Sequence, residues 1–186
     1  KLNQFIEKIN FPSPKNEINE SEITIFKKSF IENYAAEGVR LLINGVAAAM
    51  IENAGKRLGF ELGPLAMADK LEIQCVISQL DSIDASVAAL IRSMQKNNRN
   101  GLSSNKGFYD YKEGNRKHIW RGLTDLIPPA NHQLNIEEIE NRLLYSSINN
   151  INSSVKKAKE IVESSDVESM NKLRDNLDDS HLYIYI

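Results

Sequence analysis

Three histidines, one cysteine and a scatter of carboxylates are the residues of this 186-residue chain that could move protons, hold a metal or attack carbon. His118, His132 and His181 are far apart, and none has the i, i+4 partner that a helical metal site uses. His118 follows a Gly-Phe-Tyr-Asp-Tyr run and reads as a surface loop residue. Cys75 lies among Ile73, Val76, Ile77 and Leu80. With no histidine paired to it, it reads as a small buried hydrophobe and not as a nucleophile. Asp69 and Glu37 are the carboxylates that an unrelated helical enzyme could use, and each is better read as a helix-end or helix-packing group. A dinucleotide site would need Gly-x-Gly-x-x-Gly between a strand and a helix, so that backbone N–H groups can approach the pyrophosphate. The sequence has nine glycines and no Gly-x-Gly.

Composition narrows the class further. At 41% hydrophobic and 26% charged residues the chain is globular. Its net charge of −2 gives no basic excess to suggest nucleic acid. A single cysteine excludes a disulfide framework and a cysteine-based metal site, and points to a reducing, cytoplasmic setting. No apolar run approaches the ~20 residues of a membrane span. The first residue is Lys1, so the chain is expected to start inside a longer product.

The elements that must position these residues are helices. Residues 1–20, with Pro12 and Pro14, read as a lead-in holding at most a short helix at Leu2–Ile9. Ser21 can cap a first helix with apolar positions Ile23, Phe26, Phe30, Tyr34, Val39, Leu41 and Leu42, stopped near Gly45. A second helix is expected over Ala47–Leu58, with Gly59 just past its end. Pro64 suits the first turn of a third helix, which runs through about Leu71. A fourth follows over Ile73–Leu80, and a fifth, capped by Asp84, turns Val87, Leu90, Ile91 and Met94 inward. Residues 97–107 read as a loop, Gly107–Tyr111 as extended, and 112–134 as a long connection. Asn135 and Glu138 form a capping box ahead of an amphipathic stripe from Ile139 to Val162. Asp166 could cap one more helix before the LYIYI ending. The fold class is all-α.

Two stretches are specific as a set: GFELGPLAMAD (Gly59 to Asp69) and NKGFYDY (Asn105 to Tyr111), preceded by ENYAAEGVRLLINGVAAAMIENAGKRL (Glu32 to Leu58). Together they resemble the C-terminal domain of the L-3-hydroxyacyl-CoA dehydrogenases, most of all the fused dehydrogenase of bacterial fatty acid oxidation complexes. The resemblance runs from about Phe30 to Trp120 and on through GLTDLIP to Pro128. It implies a helical domain over 21–130. A second, weaker resemblance begins with IENRLLYSSINN (Ile139 to Asn150) and implies a partial, divergent second repeat over 131–186.

In that family the domain covers the acyl part of an acyl-CoA substrate and supplies the subunit or repeat interface. NAD and the His–Glu catalytic pair belong to a separate half. The resemblance therefore implies an oxidoreductase fragment that is not catalytic alone. It binds no cofactor or metal itself, pairs with an NAD-binding domain, and forms a homo-oligomer or an intramolecular repeat pair. Lys28 falls where relatives often carry a polar residue near the reacting carbon, with Ser29 beside it; Gly63 and Pro64 complete the substrate-pocket candidates. Departures are GLSSNKG (Gly101 to Gly107), in which Lys106 alone remains of a usual basic charge, and KLEIQ after Asp69. The alternative is a degenerate remnant acting as a protein-interaction module. In that case the Ile139–Val162 stripe would pair with another copy instead of packing on its own domain, the arrangement favoured here.

Overall fold

The computed structural model describes residues 20–77 and 85–147, the side chains of 20–26 and 85–86 excepted. The expectations placed on Leu2–Ile9, Asp84, the stripe beyond Ser147, Asp166 and the LYIYI ending lie outside those residues.

Helix α1 spans Glu20–Ile43 and α2 spans Ala48–Arg57. Both stop for one local reason. Gly45 (φ 82°) and Gly59 (φ 92°) take the left-handed conformation that side chains disfavour. This lets Val46 N–H reach Leu41 O and Phe60 N–H reach Gly55 O, closing the carbonyls a helix end leaves open. Helix α3 spans Pro64–Lys70, with Gly63 as its cap and Pro64 in its first turn, where a missing N–H loses nothing. Helices α4, Ile73–Ile77, and α5, Ala85–Lys96, follow.

A single 3-10 turn over Leu102–Ser104 leads to an antiparallel hairpin, β1 (Tyr109–Lys112) and β2 (Asn115–Ile119). Tyr109 pairs with Ile119, Tyr111 with Arg116 and Lys112 with Asn115, with a bulge between Tyr109 and Tyr111. Helix α6 is Gly122–Leu126, and α7 occupies residues 136–147.

Among the described residues the fold is all-α but for this hairpin, as the sequence predicts. The connection expected over 112–134 is corrected: it holds β2 and α6. Glu113 (φ 53°) and Gly114 (φ 74°) both take positive φ, the geometry of a type I′ turn, whose twist matches that of paired strands. The β2 sequence, Asn-Arg-Lys-His-Ile, has no apolar alternation that could announce a strand.

Residues Ile31–Ser147 make one compact unit. Its core gathers Tyr34, Ile51, Leu65, Leu90, Met94, Phe108, Leu123, Ile139 and Leu143, each under 2% exposed. The last two come from α7, whose capping box forms in both directions. Asn135 Oδ1 accepts from Glu138 N at 2.9 Å, and Glu138 Oε2 accepts from Asn135 N at 3.1 Å. Gln133 ties the approach to this helix onto the α1–α2 corner, donating to Gly45 O at 3.0 Å and accepting from Ala47 N at 2.8 Å.

Cys75 is also corrected. It is exposed, because α4 buries Ile73, Val76 and Ile77, and a helix turning about 100° per residue puts position 75 on the other side.

Candidate functional site

The polar heart of the unit is a pair of buried carboxylates, Glu52 and Asp69, supplied by α2 and α3. Glu52 lies on the buried side of α2 beside Ile51, Ala54 and Gly55. Its Oε1 accepts from Leu65 N at 2.8 Å and from Ala66 N at 3.4 Å, giving α3 the cap its own Gly63 cannot provide. Its Oε2 accepts from Tyr109 Oη at 2.7 Å and faces Arg116 Nη1 at 3.9 Å. The Arg116 guanidinium lies over the Tyr109 ring, 5.0 Å from its centroid.

Asp69, fully buried, ends the same short helix. Its Oδ1 accepts from Phe108 N at 2.6 Å, and its Oδ2 accepts from Tyr109 N at 2.9 Å and Tyr111 Oη at 3.0 Å. This explains the glycine of NKGFYDY. A Cβ at Gly107 would sit 2.0 Å from Asp69 Oδ1, so only glycine lets the chain pass this close. Tyr109 thus bridges both acids, one through its hydroxyl and the other through its backbone. Burial pushes the Asp69 carboxyl up from 3.8 to about 7. The three hydrogen bonds pull it down, and the charge of Glu52 adds to the rise. Burial, with the charge of Glu52 or Asp69 nearby, raises Tyr34, Tyr109 and Tyr111 well above the usual phenol range, so each remains a donor.

Every oxygen of the two carboxylates is occupied by a donor from the unit itself. The cluster therefore fixes α2, α3 and the hairpin to one another, and it presents no free acid or base to a substrate. Asp69 is the helix-end group that the sequence predicts. Glu37 accepts from Arg142 at 2.9 Å, which matches its reading as a helix-packing group.

A second cluster sits at the hairpin. Arg99, 5% exposed, donates to Gly107 O at 2.7 Å and Tyr109 O at 3.1 Å, and covers the Trp120 ring at 4.4 Å. Its Nη2 also takes Asp110 Oδ1 at 2.6 Å, while His118 Nε2 lies 3.2 Å from Asp110 Oδ2. His118 therefore stands in β2 and not in a loop. Glu72 (φ 66°), from the unusual KLEIQ stretch, accepts from Ser103 N at 3.0 Å and Ser103 Oγ at 2.9 Å, holding the loop that leads to Gly107.

Of the residues singled out from the sequence, Gly63 and Pro64 are buried, and Gly63 lies under the Glu52 carboxylate; a Cβ there would be 2.4 Å from Oε2. Lys28 is exposed and Ser29 buried on α1, ahead of the Ile31–Ser147 unit. Glu52, Tyr109, Tyr111, Arg116 and Arg99 escaped the sequence reading. The signal was present for three of them: a glutamate among the apolar positions of α2, and two tyrosines spaced by two in an extended run. No group of three metal-ligating side chains occurs among the described residues. No helix among them is long and apolar enough to cross a membrane.

Comparison with known families now places this geometry. The model described as 3-hydroxyacyl-CoA dehydrogenase, C-terminal domain, matches residues 28–111, and that stretch of the chain is a domain of this family. The match takes in both carboxylates and both tyrosines; β2, α6 and α7 lie beyond it.

Proposed function

We propose that the chain whose residues 28–111 form a 3-hydroxyacyl-CoA dehydrogenase C-terminal domain works as the substrate-covering and dimerising part of such an enzyme. The reaction would be the NAD-dependent oxidation of a 3-hydroxyacyl-CoA in fatty acid β-oxidation, in the cytoplasm. The family match carries this reading.

NAD itself does not fit the residues present. The 186 residues contain no Gly-x-Gly, and the sheet among the described residues is an antiparallel hairpin, not the parallel strand–helix–strand unit that holds a pyrophosphate. Hydride transfer is accordingly assigned to a separate NAD-binding domain. This chain contributes a rigid helical wall, fixed internally by Glu52 and Asp69, that closes over the acyl group and keeps water from it.

The test follows NADH absorbance with acetoacetyl-CoA. The chain alone is expected to show no turnover, and adding a separately expressed NAD-binding domain of the same family is expected to produce it. Turnover by the chain alone would overturn the proposal. So would silence with every such domain, which would favour the interaction-module reading instead.

A further inference from the structure

The sequence holds two Asn-Gly pairs, Asn44–Gly45 and Asn100–Gly101. Neither belongs to the carboxylate network, and both asparagine residues are exposed. Such a pair can lose its side-chain amide without an enzyme. Glycine has no Cβ to hinder its own nitrogen, which closes a five-membered ring on the asparagine side chain.

Ring closure has one conformational requirement. The peptide plane between the two residues must turn about the asparagine Cα–C bond until the glycine nitrogen faces Cγ, and any hydrogen bonds of that plane must first break. The plane offers one acceptor, the asparagine carbonyl, and one donor, the glycine N–H. At Asn100–Gly101 both are held. Asn100 O accepts from Ile73 N at 2.9 Å, and Gly101 N donates to Lys106 O at 2.9 Å. Gly101 is also buried so close to Asp69 that a Cβ would lie 2.5 Å from its carbonyl oxygen, which leaves the backbone no room to turn. At Asn44–Gly45 one of the two is held. Gly45 N donates to Leu42 O at 2.9 Å, and no donor of the described residues reaches Asn44 O. That one bond belongs to the last turn of α1, and helix ends open most readily.

We infer that Asn44 is a modification site: in the folded chain its side-chain amide converts spontaneously to an acid through Gly45, while the fold shields Asn100 from the same chemistry. Gly45 N bonds to Asn44 Cγ, the Cγ–Nδ2 bond breaks, and ammonia leaves with the proton of Gly45 N. Water then opens the cyclic imide at either of its carbonyls, giving aspartate or isoaspartate. The inference is independent of the reading given under Proposed function.

The position gives the change a consequence. The new carboxylate stands at the C-terminal end of α1, where the converging carbonyls disfavour negative charge. Isoaspartate also adds a carbon to the main chain just ahead of Gly45, whose carbonyl accepts Ala130 N at 2.8 Å and Gln133 Nε2 at 3.0 Å. Those bonds hold the approach to α7 on the α1–α2 corner, so conversion at Asn44 loosens that attachment.

The experiment ages the 186-residue chain in mildly alkaline buffer, folded and in urea, and follows both sites by peptide mass mapping and isoaspartate-specific methylation. In the folded chain Asn44 is expected to convert about five- to tenfold faster than Asn100, which has one further hydrogen bond to open. In urea the two rates are expected to converge. The aged chain is expected to melt below the fresh one, and below Asn44→Asp, which carries the charge without the longer main chain. Asn44→Gln, whose side chain would have to close a less favourable six-membered ring, is expected to start at the wild-type midpoint and to keep it on ageing. Equal conversion of the two sites in the folded chain overturns the inference. So does a preference for Asn44 that is as large in urea, because the fold would then not be its source. A chain converted at Asn44 that keeps its midpoint overturns the consequence drawn for α7.

Discussion

Tyr109 donates its hydroxyl to Glu52 Oε2 at 2.7 Å, joining positions 57 residues apart. Because Glu52 also caps α3 through Leu65 N, this one bond fixes the hairpin to two helices at once. Tyr109→Phe keeps the ring under Arg116 and removes the bond. A hydrogen bond to a charged group contributes about 1.5–3 kcal/mol, and a loss of that size is expected in urea unfolding. Glu52→Ala is expected to cost more, since it also strips the first turn of α3. In the double variant the two losses are expected to add to less than their sum, and strict additivity would show that the residues are not coupled.

Asp69 makes stability depend on pH with an unusual sign. Burial lifts its carboxyl to about 7 in the folded chain, against an ordinary value near 3.8. Between those values the folded state holds a proton that the unfolded state has released. The stabilising contribution is therefore complete below the ordinary value and is lost as pH rises through 7. Other carboxylates titrate in the same range, so the useful quantity is the wild type minus Asp69→Asn. Asparagine does not titrate, and it places an amide where Oδ2 accepted Tyr109 N and Tyr111 Oη, so the variant is expected to be weaker at every pH. Its deficit is expected to shrink from pH 4 to 7 by up to roughly 1.4 kcal/mol per unit and then level off. A deficit that does not change with pH would place the Asp69 titration outside this window.

The helices were legible in the sequence because their signals are local. Gly45, Gly59, Pro64 and the Asn135–Glu138 box each act within four residues of where they stand. The polar network was not, because its partners are distant: Asp69 meets Tyr111 across 42 positions, and nothing near Asp69 in the chain distinguishes a buried carboxylate from a solvated helix end. Cys75 failed for a related reason. Its apolar neighbours Ile73, Val76 and Ile77 take the buried side of α4, and the single intervening position 75 falls on the other. β2 failed because four of its five residues are polar, so no apolar alternation marks the strand, although Ile119 packs against the core.

The Gly-Pro turn makes a demand on α1 that can be tested directly. A Cβ at Gly38 would lie 2.2 Å from Pro64 Cβ, closer than real carbons approach. Alanine in mid-helix is intrinsically better than glycine by about 1 kcal/mol. Overpacking costs about 1–3 kcal/mol and is expected to win, since Pro64 is buried and has little room to shift. Gly38→Ala is therefore expected to lower the thermal midpoint, and its cost is expected to shrink when it is measured in a Pro64→Gly background, which lacks the opposing Cβ. A raised midpoint in the single variant would mean that α1 and α3 are not in this contact.

Helix α7 lies beyond the family match, yet it behaves as part of the same core. Leu143 and Ile139 are 0% exposed, and Arg142 reaches Glu37 of α1 at 2.6 Å. If α7 were an accessory to the domain, truncating its apolar face would leave the rest intact. Filling a core position instead predicts that Leu143→Ala costs about 2–5 kcal/mol, as a deep cavity does. Arg142→Ala removes the closest cation from a carboxylate that is only 7% exposed, leaving Arg40 at 3.5 Å, and is expected to cost less than Leu143→Ala. Hydrogen exchange separates the two cases. If α7 belongs to the core, Leu143→Ala is expected to speed exchange in α1 and α2 together with α7, because all three open as one unit. Faster exchange in α7 alone would show an appendage whose packing the rest of the fold does not need.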